Sequence, residues 1–116
     1  MNEFLLVFRT DYQTMNAMTR RSPEEMEANA KRWMEWIDKI ETQNKLVSRG
    51  NRLGTSGKIV KHGNVIADGP YTEIKECIVG YSILRATSLD EAAELADGCP
   101  ILKTGGTVEI RQISSM

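Results

Sequence analysis

The sequence predicts one α+β domain in which two helices cover one face of an antiparallel sheet. Three observations predict this class: a wholly apolar run near the amino terminus, two amphipathic segments that each begin with a capping box, and alternating strand patterns after each segment. A length of 116 residues is typical of one domain, so residues 1–116 are taken as a single unit. With 41% hydrophobic and 27% charged residues, the composition is that of a globular protein.

The first predicted strand covers residues 4–8, where every side chain is apolar. Such a strand needs cover on both of its faces. The run is too short to cross a bilayer, and Glu3 precedes it where a signal peptide would carry positive charge, which favours a cytoplasmic protein with no membrane contact. Residues 10–21 are polar and show no periodicity, so they predict a long loop and a candidate active-site lid.

The first helix has a well-marked start. Ser22 is the predicted N-cap, Pro23 takes the first helical position, and Glu25 completes the capping box. Asn44, which tolerates a left-handed conformation, predicts the end. One apolar stripe runs along the helix through Met26, Ala30, Trp33, Ile37 and Ile40. Met34 and Trp36 lie off this stripe, and contact with a loop, contact with a second subunit and simple exposure all remain open for them.

The second half of the chain predicts four more extended segments and one helix. Residues 46–53 predict a strand, and residues 58–60 pair with residues 65–67 across a Gly-Asn turn. Residues 78–86 and 107–113 alternate in polarity, as strands do. Between these two strands, Ser88 and Glu91 form a second capping box that starts a short helix.

Without the extra hairpin, the element order is βαββαβ, the ferredoxin-like arrangement, with both helices on one face of an antiparallel sheet. The opposite face would then be apolar and uncovered. A second copy of the chain, packed face to face, would cover it. The sequence therefore predicts a homodimer that forms a closed α/β barrel.

Charge and motif content narrow the function classes. The net charge of −1 gives no general attraction to nucleic acid, and the scattered pairs Arg20-Arg21 and Arg49 with Arg52 lack interleaved aromatic residues. One histidine and two distant cysteines predict no metal site, and no cofactor motif occurs. Residues 50–58 mimic a phosphate loop but lack its first glycine and the hydroxyl residue after its lysine. Cys77 and Cys99 are expected to be half-buried thiols of a reducing cytosol.

Residues 68–76 hold the densest group of ionisable side chains. An Asp-Gly-Pro turn begins the segment, and Asp68, Glu73, Lys75 and Glu76 lie within it. Two interpretations stay open. At a cleft, the lysine between carboxylates would form an ion-pair cluster with shifted pKa values, whereas in a solvated loop it would form weak surface pairs.

This segment, together with Gly80-Tyr81, resembles the signature of the YCII-related family in its DGPF-motif branch, with Tyr71 in the place usually held by phenylalanine. Residues 4–8, 22–26, 99–100 and 106–111 also resemble that family. The resemblance implies a ferredoxin-like fold that assembles into a dimeric α/β barrel. Some relatives resemble small-molecule enzymes that use a histidine and aspartate pair, and branch members occur with sigma-factor-like regulators. The only histidine of this chain, His62, lies in the hairpin instead.

These observations support two expectations for function. The first is a small-molecule-binding protein, with catalysis left open, whose cleft takes a small organic compound, either neutral or anionic. In it, Asp68 or Glu73 would transfer protons, Lys75 would be the electrostatic partner, Arg111 would anchor an anion, and Tyr71 would contact the substrate. Strand register decides whether Arg9, Arg52 and Arg85 also reach the cleft. The second expectation is a non-catalytic regulatory or protein-interaction module linked to transcription.

Overall fold

The computed structural model describes residues 1–63, 65–69 and 77–114. The strands are β1 (Asn2–Thr10), β2 (Leu46–Arg52), β3 (Gly57–Lys61), β4 (Val65–Gly69), β5 (Cys77–Ala86) and β6 (Thr107–Gln112). The α-helices are α1 (Tyr12–Met18), α2 (Pro23–Thr42) and α3 (Leu89–Ala96), and a short 3-10 helix covers Pro100–Thr104. The predicted α+β class is confirmed.

Four strands form an antiparallel sheet in the order β2-β5-β1-β6, which is consistent with a ferredoxin-like fold. β3 and β4 form a separate two-stranded sheet, and Lys58 lies opposite Asp68 in it. The two segments pair as the sequence predicts, but residues 58–60 lie opposite residues 66–68, one position further along the chain than the predicted 65–67. Within the described residues, no helix is both long and apolar enough to cross a membrane.

The core lies between one face of the sheet and the helices α2 and α3. Alternate residues of β1, namely Phe4, Leu6 and Phe8, are buried on this inner face. Phe4 pairs with Leu84 of β5, whose side chain is also fully buried. Ile40 of α2 and Ala92 of α3 pack into the same cluster. The helices α2 and α3 therefore cover the same side of the sheet.

The outer face of the sheet carries the intervening residues. Leu5 pairs with Ile83 and Val7 pairs with Tyr81, and all four side chains are half-buried. The helices α2 and α3 pack against the inner face and leave these residues uncovered. We call this set the outer apolar row. Its place agrees with the prediction that the first strand is apolar on both faces.

The expectation of a loop over residues 10–21 is wrong, because α1 lies within that range. Asp11 is its N-cap, and the Asp11 carboxylate accepts a hydrogen bond from the Thr14 N–H at 2.6 Å. This backbone hydrogen bond holds the pKa of Asp11 below its ordinary value. Met15 is the buried residue of the helix. Because only one of the seven residues is buried, the helix leaves no apolar periodicity in the sequence from which it could be predicted.

α2 begins as predicted, and the Ser22 hydroxyl accepts a hydrogen bond from the Glu25 N–H at 3.2 Å. Beyond its last turn, Asn44 adopts the left-handed conformation, with a φ of 58°. Trp36, whose contacts the sequence left open, is buried, and its indole Nε1 donates to the Leu95 carbonyl at 2.9 Å. Met34 is exposed on the helix surface.

Candidate functional site

A cavity of about 340 Å³ lies between the amino-terminal half of α2 and the inner face of the sheet. The carboxyl end of β2 and the first half of β5 form its floor, while the 3-10 helix and the segment after α1 complete its sides. Its described lining comprises Phe8, Met18, Arg21, Met26, Asn29, Ala30, Trp33, Met34, Ile37, Arg49, Gly50, Asn51, Arg52, Val79, Gly80, Tyr81, Ser82, Pro100, Ile101 and Thr104.

The cavity exists because only the carboxyl-terminal half of the apolar stripe on α2 packs against the sheet. Toward the carboxyl end, Ile37 and Ile40 are 6% and 2% exposed, as core residues are. Toward the amino end, Met26 is 41% exposed although it lies on the same stripe. The stripe therefore packs on the sheet at one end and borders an open space at the other.

Aromatic rings form the deep wall of the cavity. Phe8 and Trp33 meet edge to face with ring centroids 4.9 Å apart. Trp36 lies behind them, 5.8 Å from Trp33 and 5.9 Å from Phe8, and is held by its hydrogen bond to Leu95. Such edge-to-face contacts fix the orientation of each ring. The wall is therefore preformed, whereas the flexible side chains of Met26 and Met34 can adapt to an occupant.

Two glycines shape the floor. Gly50 has a φ of +70°, and a Cβ there would lie 1.7 Å from the Tyr81 carbonyl oxygen, so only glycine lets the strands approach so closely. A Cβ at Gly80 would lie 3.1 Å from the Asn51 carbonyl oxygen and 3.5 Å from the Phe8 ring. At these two glycines the floor of the cavity consists of backbone atoms, because neither residue has a side chain that would occupy the space.

Three arginines contribute to the cavity wall, namely Arg21, Arg49 and Arg52. Arg49 is bound to α2, because its Nη2 contacts an Asp38 carboxylate oxygen at 2.8 Å and also pairs with Glu41. The hydrogen bond with Asp38 raises the pKa of Arg49 above its ordinary value. Among the described residues, neither Arg21 nor Arg52 has a carboxylate within ion-pair distance.

Strand register explains how Arg52 reaches this site. Arg52 lies opposite Gly80, which is on the inner face of β5, and two irregularities in the pairing of β2 with β5 set that register. Such irregularities reverse which residues face inward, and the sequence alone does not locate them. Arg21 directly precedes the N-cap of α2, where the sequence showed only a pair of scattered basic residues.

The sequence-predicted site residues are not gathered at this cavity. Asp68 lies on β4, where its side chain is 88% exposed and pairs with Lys58. Arg111 lies on β6 at 73% exposure and contacts Glu109 at 3.3 Å, on the outer face of the sheet. Neither residue lines the cavity. Tyr71, Glu73 and Lys75 lie outside the described residues, so their assignment stays a prediction.

Both thiols are buried, more completely than the half-burial that the sequence predicted. Cys99 is 1% exposed, and burial raises the pKa of its thiol to about 12. Burial also raises the pKa of the Cys77 thiol, with a further contribution from Asp11. Neither thiol lines the cavity, and a high pKa leaves little reactive thiolate. Across the described ranges, no group of three or more metal-binding side chains comes together.

Comparison with known protein families gives a match to the YCII-related domain over residues 5–116. The chain belongs to the YCII-related family. This match covers nearly the whole chain and agrees with the antiparallel sheet and helices described above. A comparison with curated proteins gave no match for this YCII-related chain.

Proposed function

We propose that this YCII-related protein binds a small organic molecule in the cavity between α2 and the sheet. The observation that carries the proposal is the cavity itself. Small-molecule sites have volumes of roughly 300 to 1,000 Å³ and combine apolar walls with a few polar groups. At about 340 Å³, this cavity has an aromatic wall and a few polar residues in its lining, among them Asn29, Ser82 and Thr104.

For catalysis, we propose that Glu73 exchanges protons with the bound compound and that Lys75 stabilises the charge, because Asp68, the other carboxylate predicted for this role, pairs with Lys58 and does not line the cavity. The described cavity lining has no aspartate, glutamate, histidine or lysine, so a proton-transfer group has to come from elsewhere in the chain. Residues 70–76 directly precede β5, which supplies part of the floor. Single Glu73→Ala and Lys75→Ala substitutions should then abolish turnover while the fold survives.

The alternative is a regulatory module that acts through protein contacts without a ligand. Such a module has no need of an open interior, and a filled space between α2 and the sheet would favour it. The open cavity and its preformed aromatic wall favour ligand binding instead.

We also propose three finer assignments. The Asp68-Gly69-Pro70 sequence supports the DGPF-motif branch, and the separate β3–β4 sheet supports a hairpin inserted into the ferredoxin-like fold. The outer apolar row supports a homodimer that closes an α/β barrel, because a second copy would cover it. Two buried thiols are typical of the cytoplasm, where a reducing environment maintains them.

A matched pair of alanine substitutions on α2 tests the binding site. Ala30 lines the cavity, whereas Ala28 is exposed on the same helix and does not line it. The Ala30→Phe variant should fill the space, and Ala28→Phe should leave it open. We would screen a metabolite library by thermal unfolding, since a ligand at 100 times its dissociation constant adds about 2.7 kcal/mol of stability.

The expected result is that at least one compound stabilises the wild type and Ala28→Phe equally but does not stabilise Ala30→Phe. A library that stabilises none of the three proteins would contradict the proposal. Equal stabilisation of all three would also contradict it, because the compound would then bind elsewhere.

A further inference from the structure

The cavity has a local charge that the whole chain does not have. The chain carries a net charge of −1, yet the charged residues of the described lining are three arginines. An excess of positive charge around an apolar space raises the local concentration of anions and disfavours cations. The cavity therefore discriminates between ligands by charge.

Two of these arginines remain available to a ligand. Arg49 is neutralised by Asp38 and Glu41, which also join β2 to α2. Within the described residues, Arg21 and Arg52 have no such carboxylate partner. A guanidinium offers paired N–H donors that match the two oxygens of a carboxylate.

The remaining walls define the rest of the ligand. Phe8, Trp33 and Ile37 present apolar surface, and Met26 and Met34 adapt to its shape. Multiply charged ligands such as nucleotides need many donors around the phosphates, whereas this lining is mainly apolar. A single anionic group on an apolar body fits both parts of the cavity.

We infer that the ligand is a monocarboxylate with an apolar body, and that Arg21 and Arg52 bind its carboxylate while the Trp33 wall holds the body. This inference rests on the proposed function and names the ligand class of that same site. It assigns the anion anchor to the inner face of the sheet, whereas Arg111 lies on the outer face.

A charge series of one apolar skeleton tests the inference by calorimetry. The probes are 2-naphthoate, its neutral amide 2-naphthamide and the cation 2-naphthylmethylamine. Hydrogen bonds to charged groups contribute about 1.5 to 3 kcal/mol, so the carboxylate should bind at least about tenfold more tightly than the amide. Octanoate, run in parallel, distinguishes a chain from a ring as the preferred body, and tight binding of either carboxylate supports the inference.

Arginine variants locate the anion anchor. Arg21→Gln and Arg52→Gln should each weaken carboxylate binding about tenfold and leave amide binding unchanged, because each removes one charge-assisted contact. Arg20→Gln is the matched control, since Arg20 is adjacent in sequence to Arg21, exposed and outside the cavity lining. Circular dichroism and thermal unfolding would check that each variant is folded.

Several results would overturn the inference. Amide or amine binding as tight as carboxylate binding would show that the cavity takes another ligand class, and the proposed function would stand. Equal losses in Arg20→Gln, or a loss confined to Arg111→Gln, would show that the carboxylate is not held by Arg21 and Arg52. If no probe binds, the inference fails, and the proposed function fails with it only if the library screen is also blank.

Discussion

Gly50 shows how one residue controls both the sheet and the cavity floor. Its φ of +70° lies in the left-handed region, and its Cα approaches the Tyr81 backbone so closely that no side chain fits. It also lies at the irregular part of the pairing between β2 and β5 that sets the register of Arg52. A substitution here should disturb the fold and the site together.

We predict that Gly50→Ala lowers the free energy of unfolding by more than about 2 kcal/mol. A left-handed φ costs a non-glycine residue about 1 to 2 kcal/mol, and the clash with the Tyr81 carbonyl adds to that cost. Urea denaturation would measure the change. Gly54→Ala is the control, because a Cβ there meets nothing within 4 Å, and it should change stability by less than about 0.5 kcal/mol. Equal effects of the two substitutions would contradict this account.

At the scale of elements, the sequence predicts those that carry strong local signals. The capping boxes at Ser22 and Ser88 locate α2 and α3, and each serine accepts the expected backbone hydrogen bond. α1 escapes prediction because its N-cap, Asp11, is followed by a helix with one buried residue. Trp36 also escapes, because a hydrogen bond to a carbonyl 59 residues away leaves no local pattern.

The residues of the candidate site are harder to predict from the sequence than the helices and strands, because they depend on the register in which the strands pair. Whether Arg52 faces the inner or the outer side of the sheet depends on irregularities in β2 that local patterns do not reveal. Arg111 was expected to anchor an anion, yet alternation along β6 turns it to the outer face. The charged residues of 68–76 are evident in the sequence because they are contiguous. The cavity is assembled from segments that are distant in sequence, so no single stretch of sequence reveals it.

The two halves of α2 should differ in their contribution to stability. Ile40 is 2% exposed in the core, and Ile40→Ala should lower the free energy of unfolding by about 2 to 5 kcal/mol. Met26 borders the cavity at 41% exposure, so Met26→Ala should cost less than about 1 kcal/mol. Denaturant unfolding of both variants would measure the difference. Similar losses would show that the whole stripe packs on the sheet.

At the scale of the whole molecule, the outer face of the sheet is the apolar surface that the helices α2 and α3 leave uncovered. Leu5, Val7, Tyr81 and Ile83 form an apolar row, and the ion pair between Arg9 and Glu109, with its atoms 3.1 Å apart, lies beside it. An apolar centre with a charged margin is typical of protein interfaces. The two-fold dimer predicted from the sequence would bury this row against its own copy.

We predict a particle of twice the 13.0 kDa chain mass in light scattering. Ile83→Lys should convert it to a monomer, because burying an unpaired charge at the centre of the interface is costly. Leu89→Lys is the control, since Leu89 is exposed at the start of α3 on the other side of the sheet, and this variant should stay dimeric. If the wild type is a monomer, the predicted dimeric barrel is wrong, whereas the cavity, which lies within one chain, is unaffected.

The central claim is that the space between α2 and the sheet binds a small molecule. The most direct measurement is amide chemical-shift mapping of the labelled protein with the compound that stabilises it most. We expect the largest shifts at Asn29, Trp33, Asn51 and residues 80–82, which surround the cavity. Shifts confined to the β3 and β4 hairpin or to the outer apolar row would contradict it, because the ligand would then bind where this account has no site.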